Sequence, residues 1–92
     1  MKNKFQEVLL SALSELGYPI EKVIVQSPKN PDHGDFTTNY PMINSKEIGI
    51  PPMDIASIIV DKINTTKSEL IESIESIPPG FINVKINKDM LS

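Results

Sequence analysis

The sequence predicts a single small α/β domain of the α+β type, with about three helices packed on one face of a small, mainly antiparallel sheet whose other face is partly open. Three features lead there. Two segments, residues 3–16 and 52–63, carry apolar side chains at helical spacing. A third, Pro78-Pro79-Gly80-Phe81-Ile82-Asn83-Val84-Lys85-Ile86-Asn87, opens with turn formers and then alternates strictly between apolar and other residues. The 92 residues allow one core with little stability to spare, so these elements must share it.

Taken in order, Phe5, Val8, Leu9, Ala12, Leu13 and Leu16 form one stripe on a first helix, which Gly17 and Pro19 bring to an end. Lys22-Val23-Ile24-Val25-Gln26 is rich in β-branched residues and closed by Ser27-Pro28. It predicts a strand with Val23 and Val25 toward the core and Lys22, Ile24 and Gln26 on the other face. Residues 28–35 are dense in turn formers and make a loop. Pro41 lacks an N–H and is harmless only among the first four helical donors. A second helix therefore begins there, with Thr38 or Asn39 as N-cap, and ends near Ile48 before Gly49. Its apolar spacing is poor, which leaves its packing face open. Pro51-Pro52 starts a third helix, with Asp54 at the positive end of the dipole and Ile55, Ala56, Ile59, Val60 and Ile63 as its stripe, until Asn64-Thr65-Thr66. Leu70, Ile71, Ile74 and Ile77 fit a helical spacing yet run straight into the Pro-Pro-Gly turn; a helical turn at 68–71 and a strand at 73–77 are expected. Residues 1–87 then form the domain, and 88–92 begin a helix leading onward.

In the last strand, Ile82, Val84 and Ile86 point one way and Phe81, Asn83, Lys85 and Asn87 the other. The second set offers an aromatic ring, two amides and an ammonium, groups that can stack on a base, read its edge and meet a phosphate.

Composition limits this reading. The net charge is −3, all nine basic residues are lysine, and no arginine is present to make a bidentate fork to phosphate or guanine. Stand-alone nucleic-acid binders take most of their affinity from neutralised phosphates, so any RNA contact here assists something larger. With no cysteine and one histidine there is neither a disulfide framework nor a metal cluster, and no metal or cofactor is expected in this chain. No apolar run approaches the roughly 20 residues of a membrane span. Met1-Lys2-Asn3-Lys4 leads into an amphipathic helix rather than an apolar signal segment. A soluble monomer in the reducing cytoplasm, with no membrane partner, fits.

Two segments carry a resemblance. Pro28-Lys29-Asn30-Pro31-Asp32-His33-Gly34-Asp35-Phe36-Thr37-Thr38-Asn39 resembles the His-Gly-Asp-aromatic-x-Thr-Asn signature of the N-terminal domain of arginyl-tRNA synthetase, a class I enzyme, and Pro79-Gly80-Phe81-Ile82-Asn83 is similar to that domain's Pro-Gly-Phe-Ile-Asn signature. The order of elements agrees, and the likeness covers essentially the whole chain. It implies a small domain in front of a catalytic domain, contacting the tRNA elbow, chiefly the D-loop. In the family an aromatic residue and the asparagine two places later join that contact, here Phe81 and Asn83. It further implies a parent arginine–tRNA ligase that uses ATP and Mg2+. Neither ATP-site signature of class I synthetases, His-x-Gly-His or Lys-Met-Ser-Lys-Ser, occurs in this chain, so no catalytic residue and no aminoacylation by this part alone are expected. The departures are Tyr40, Pro41, Asn44 and Ser45 where small or apolar residues are usual, Ile43 where a polar one is common, and Pro78 in place of glycine or alanine.

Each site residue has a plainer reading beside the functional one. A phenylalanine opening a strand is more often core, but burying Phe81 would expose three aliphatic side chains, which favours the outward reading. Asn83 could cap a turn, which its mid-strand position opposes. Lys85 reads as a solvated sheet residue, with a phosphate contact as the minority view. Lys22 and Gln26 are weaker candidates, placed by assuming that their strand shares the open face. His33 beside Asp35 suggests an acid–base pair, but no nucleophile or third partner lies near. The structural reading prevails: Gly34 permits a positive φ, Asp35 bonds backbone donors of the turn or the next helix, and Asn39 and Gly80 complete the framework. Glu69, Glu72 and Glu75 read as a solvated acidic face. The alternative to a tRNA contact is a structural or protein-interaction domain.

Overall fold

The alternating segment near the end of the sequence becomes the central strand of the sheet. The computed structural model describes residues 1–91. Its elements are α1 (Lys2–Leu16), a 3-10 turn (Pro31–His33), β1 (Phe36–Thr38), α2 (Tyr40–Ile48), α3 (Pro52–Thr66), β2 (Ile71–Ile77), β3 (Phe81–Ile86) and a second 3-10 turn (Lys88–Leu91). The strands run in the order β1-β3-β2, antiparallel throughout. Thr37 lies opposite Asn83, and Glu75 lies opposite Asn83 from the other side.

One face of this sheet carries the core. Ile82, Val84 and Ile86 are buried there with Ile74, beneath Phe5, Leu9, Ala12 and Leu13 of α1 and Ile55, Ala56, Ile59, Val60 and Ile63 of α3. Phe36, facing the same way as its partner Val84, stacks on Phe5 with ring centroids 6.4 Å apart and planes 8° from parallel. The three helices thus cover one face, α1 and α3 through their apolar stripes.

Helix α2 packs through residues that no apolar stripe would reveal: Tyr40, Pro41 and Asn44 are buried. The Tyr40 hydroxyl donates to the Pro19 carbonyl at 2.7 Å, and burial pushes that phenol up to about 12. Asn44 Nδ2 donates to the carbonyls of Lys22 and Tyr40, each at 3.1 Å, while Ile43 points outward. Three of the family departures in this helix, Tyr40, Pro41 and Asn44, therefore form its inward face.

Four expected elements change. Residues 22–26 form no strand: a single bridge joins Gln26 to Thr37, with paired backbone bonds of 2.8 and 2.9 Å. The Ile24 carbonyl, which a ladder would use, accepts from the Thr38 hydroxyl at 2.7 Å instead. Phe36–Thr38, expected to lead into the helix, is itself an edge strand, and the same Thr38 oxygen accepts the first helical N–H, that of Tyr40, at 3.1 Å. Asn39 holds the N-cap position without a side-chain bond. The strand expected from 73 begins at Ile71, after a turn that Lys67 enters with φ 50°, and it is irregular between Ile71 and Ser73. Residues 88–91 make a 3-10 turn; Ser92, in the helix expected from 88, lies outside the described residues.

Candidate nucleic-acid interface

The face of β3 turned from the helices carries Phe81, Asn83 and Lys85, with Thr37 on β1 and Glu75 on β2 as neighbours. A groove of about 570 Å³ lies over it, lined by Phe81, Asn83 and Thr37 from the sheet, Gln26 and Lys29 from the preceding loop, and His33. None of the lining residues is a carboxylate. Lys29 forms no ion pair among the described residues.

The loop bearing the first signature is laid directly on β3. Gly34 adopts φ 92° and ψ −160°, a region essentially reserved for glycine, and a Cβ there would sit 2.6 Å from the Val84 carbonyl oxygen. The next residue ties the crossing down: the Asp35 N–H donates to the Val84 carbonyl at 2.8 Å, and Asp35 Oδ2 accepts the Ile86 N–H at 2.8 Å. Asp35 thus serves β3 and Lys88 rather than the turn or the helix expected. The Lys88 ammonium and the Ile86 N–H together hold its carboxyl below the ordinary value. His33, exposed, sits at the end of the 3-10 turn where that loop meets the groove.

Gly80 has a different reason to be glycine. It is buried in the turn before β3, where a Cβ would come within 2.7 Å of both Met42 Cγ and Pro52 Cβ. The second signature is thereby pressed against the starts of α2 and α3, which sets where Phe81 emerges.

Phe81 is half-buried, its ring a wall of the groove rather than part of the core. Asn83 differs from expectation. It is 8% exposed, and its Oδ1 accepts from the Thr37 hydroxyl at 2.8 Å across the sheet. Lys85 is exposed and paired with Glu72 at 3.3 Å, an exposed ion pair of little energetic weight. Gln26 does reach the open face through its bridge to Thr37. Lys22 does not line the groove; its carbonyl is tied to α2 by Asn44, because the strand that would have carried it across is absent. Thr37, Lys29 and the lining role of His33 escaped the sequence reading. Thr37 occupies the variable position of its signature, and nothing local marks its partner 46 residues away.

The model of the arginyl tRNA synthetase N terminal domain family matches residues 2–86. The chain belongs to that family. An arginine–tRNA ligase of Caldanaerobacter subterraneus is 38% identical over 97 aligned residues, covering 98% of this chain and 17% of the relative. One from Mycoplasma mobile is 46% identical over 83, covering 90% and 15%, and one from Ehrlichia ruminantium 48% over 71, covering 77% and 12%. Thermus thermophilus arginyl-tRNA synthetase shares the fold, with a TM-score of 0.82 at 23% identity over 99% of this chain and 15% of the solved one. The enzyme of Plasmodium falciparum gives 0.80 at 25%, over 98% and 16%. The chain thus spans less than a fifth of the length of these synthetases. Among the described residues of this arginyl-tRNA synthetase N-terminal domain, no three His, Cys, Asp or Glu side chains converge on a metal position, and no helix is long and apolar enough to cross a membrane.

Proposed function

We propose that this domain docks the elbow of tRNAArg, chiefly its D-loop, for a cytoplasmic arginine–tRNA ligase, so that the acceptor end reaches the catalytic domain. The parent reaction joins arginine to tRNAArg with conversion of ATP to AMP and diphosphate, and ATP and Mg2+ belong to the catalytic domain. The observation that carries this reading is the carboxylate-free groove in which Phe81 and Asn83 stand beside Gln26, Lys29 and His33. An aromatic wall with amide and cationic neighbours suits an unstacked base and its phosphate. The contact is auxiliary, because Lys85 and Lys88 are already paired with carboxylates.

The test is nuclease protection of tRNAArg by the full-length protein carrying Phe81 or Phe81→Ala. The substitution is expected to remove D-loop protection and weaken tRNA binding by about 1–3 kcal/mol, the worth of one base stack. Unchanged protection would leave this face to a protein contact instead.

A further inference from the structure

A second groove, of about 460 Å³, lies beside α1 and shares no lining residue with the one over β3. Its apolar walls include Val8 and Ala12 of α1, Leu70 ahead of β2 and Met90 of the last turn, with the exposed Lys4 and Glu7 also lining it. The apolar stripe of α1 is wider than what covers it. Phe5, Leu9, Ala12 and Leu13 are buried, but Val8 is only half-buried and Met90 is 42% exposed. Lys4 and Glu7 form no ion pair among the described residues.

The turn that brings Met90 to this groove is built as the beginning of a helix. Asn87 Oδ1 accepts the Asp89 N–H at 3.0 Å, the contact of an N-cap, and Asp89 suits the positive end of a helix dipole. The Asn87 carbonyl accepts the Met90 N–H at 3.0 Å within the 3-10 turn Lys88–Leu91, and such turns commonly open α-helices. The aim of this turn is fixed. The Asn87 N–H donates to the Leu70 carbonyl at 2.8 Å, and its Nδ2 donates to the Glu69 carbonyl at 3.1 Å. The residue that caps the turn is thus tied to the residue that walls the groove. The domain belongs at the N-terminal end of synthetases of which it spans less than a fifth, so most of such a chain follows it.

We propose that this groove is the seat of the stretch that follows residue 92 in the full-length synthetase, which continues the turn capped by Asn87 as an amphipathic helix and lays its apolar face across Val8, Ala12 and Leu70. Side chains three, four and seven places after Met90 share its face of such a helix and are the ones that enter the groove. A helix seated there removes Val8 and Met90 from water and brings its own charges within reach of Lys4 and Glu7. It also sets the direction in which the chain leaves for the next domain. The inference rests on the reading above only in that a catalytic domain follows; the tRNA face takes no part in it.

Hydrogen exchange read by mass spectrometry on the full-length protein tests this, with peptides from the stretch after residue 92, from α1 and from β3. The unchanged chain is compared with Val8→Lys and Met90→Lys. In the unchanged protein the stretch after residue 92 is expected to exchange slowly, as a docked helix does. Each lysine should speed that exchange by about tenfold or more, the worth of one lost aliphatic contact, while the amides of β3 stay as slow as before. Should Val8→Lys open β3 as well, the more exposed Met90→Lys decides. The inference is overturned if the stretch exchanges freely in the unchanged protein, or if its slow exchange is unaltered by either lysine; the groove is then left to the catalytic domain or to a second copy. Phe81→Ala scores the docking reading separately. Unchanged D-loop protection in that variant would end the docking reading without touching the exchange result, and free exchange after residue 92 would leave D-loop protection as it is.

Discussion

Asp35 and Lys88 form a bridge of 2.5 Å between Oδ1 and Nζ, and the other oxygen of the same carboxylate accepts the Ile86 N–H at 2.8 Å. One side chain therefore clamps the first signature, the central strand and the turn that leaves it.

This clamp makes stability depend on acid. The carboxyl of Asp35 titrates below its ordinary value because Lys88 and the Ile86 N–H favour the charged form. A depressed folded-state value means stability that is present above the unfolded-state value, about 3.9, and is lost as pH falls through the folded-state value. Urea unfolding at pH 7 and pH 3 should show Asp35→Asn costing more stability at the higher pH than at the lower. Asp35→Ala should cost about 1–3 kcal/mol at pH 7, since it leaves the part-buried Ile86 N–H without a partner.

Gly34→Ala is expected to destabilise by at least about 1–3 kcal/mol, the cost of one strongly disfavoured backbone conformation. The added methyl would also press on the Val84 carbonyl at 2.6 Å, so β3 or the loop must shift. Thermal unfolding gives the cost, and amide exchange at Asp35 and Ile86 shows whether the crossing has lifted.

Asn44 should tolerate neither of two small changes, and in a fixed order. Asn44→Ala removes the donor to the Lys22 and Tyr40 carbonyls and should cost about 1–3 kcal/mol. Asn44→Asp should cost more, because it sets a buried carboxylate against two carbonyl oxygens. A denaturation midpoint higher for aspartate than for alanine would contradict the inward orientation of this side chain.

Phe81→Ala should leave the fold largely intact, with a loss well below the roughly 3–5 kcal/mol of a core phenylalanine, since the ring lines the groove and is only partly buried. Phe36→Ala, which breaks the stack on Phe5, is the matched control and should be the more damaging of the two in the same melting experiment.

What could be read from residue order was whatever depended on near neighbours. The stripes of α1 and α3 and the alternation of β3 report which way each side chain points, and the buried aliphatic residues follow them. Lys22–Gln26 failed because a β-branched run becomes a strand only beside a free ladder, and β1 is three residues long before Asn39 and Pro41 start the helix. Tyr40 and Asn44 pack inward through hydrogen bonds to distant carbonyls, which no hydropathy pattern records. The site was half legible for the same reason. Alternation put Phe81 and Asn83 on one face, but the Thr37 hydroxyl that engages the Asn83 amide comes from 46 residues away.

The central place of β3 also has a consequence in time. The bonds that build the groove join Thr37 to Asn83 and Asp35 to Ile86, spans of 46 and 51 residues, whereas the helices need only local contacts. Long-range pairing of this kind is the slow part of folding. During synthesis, a nascent chain that has reached Pro78 already holds the residues of all three helices and Gly34, yet it lacks Gly80 and the whole of the central strand. The sheet comes into being only when β3 emerges, because β1 and β2 each pair with β3 and not with one another.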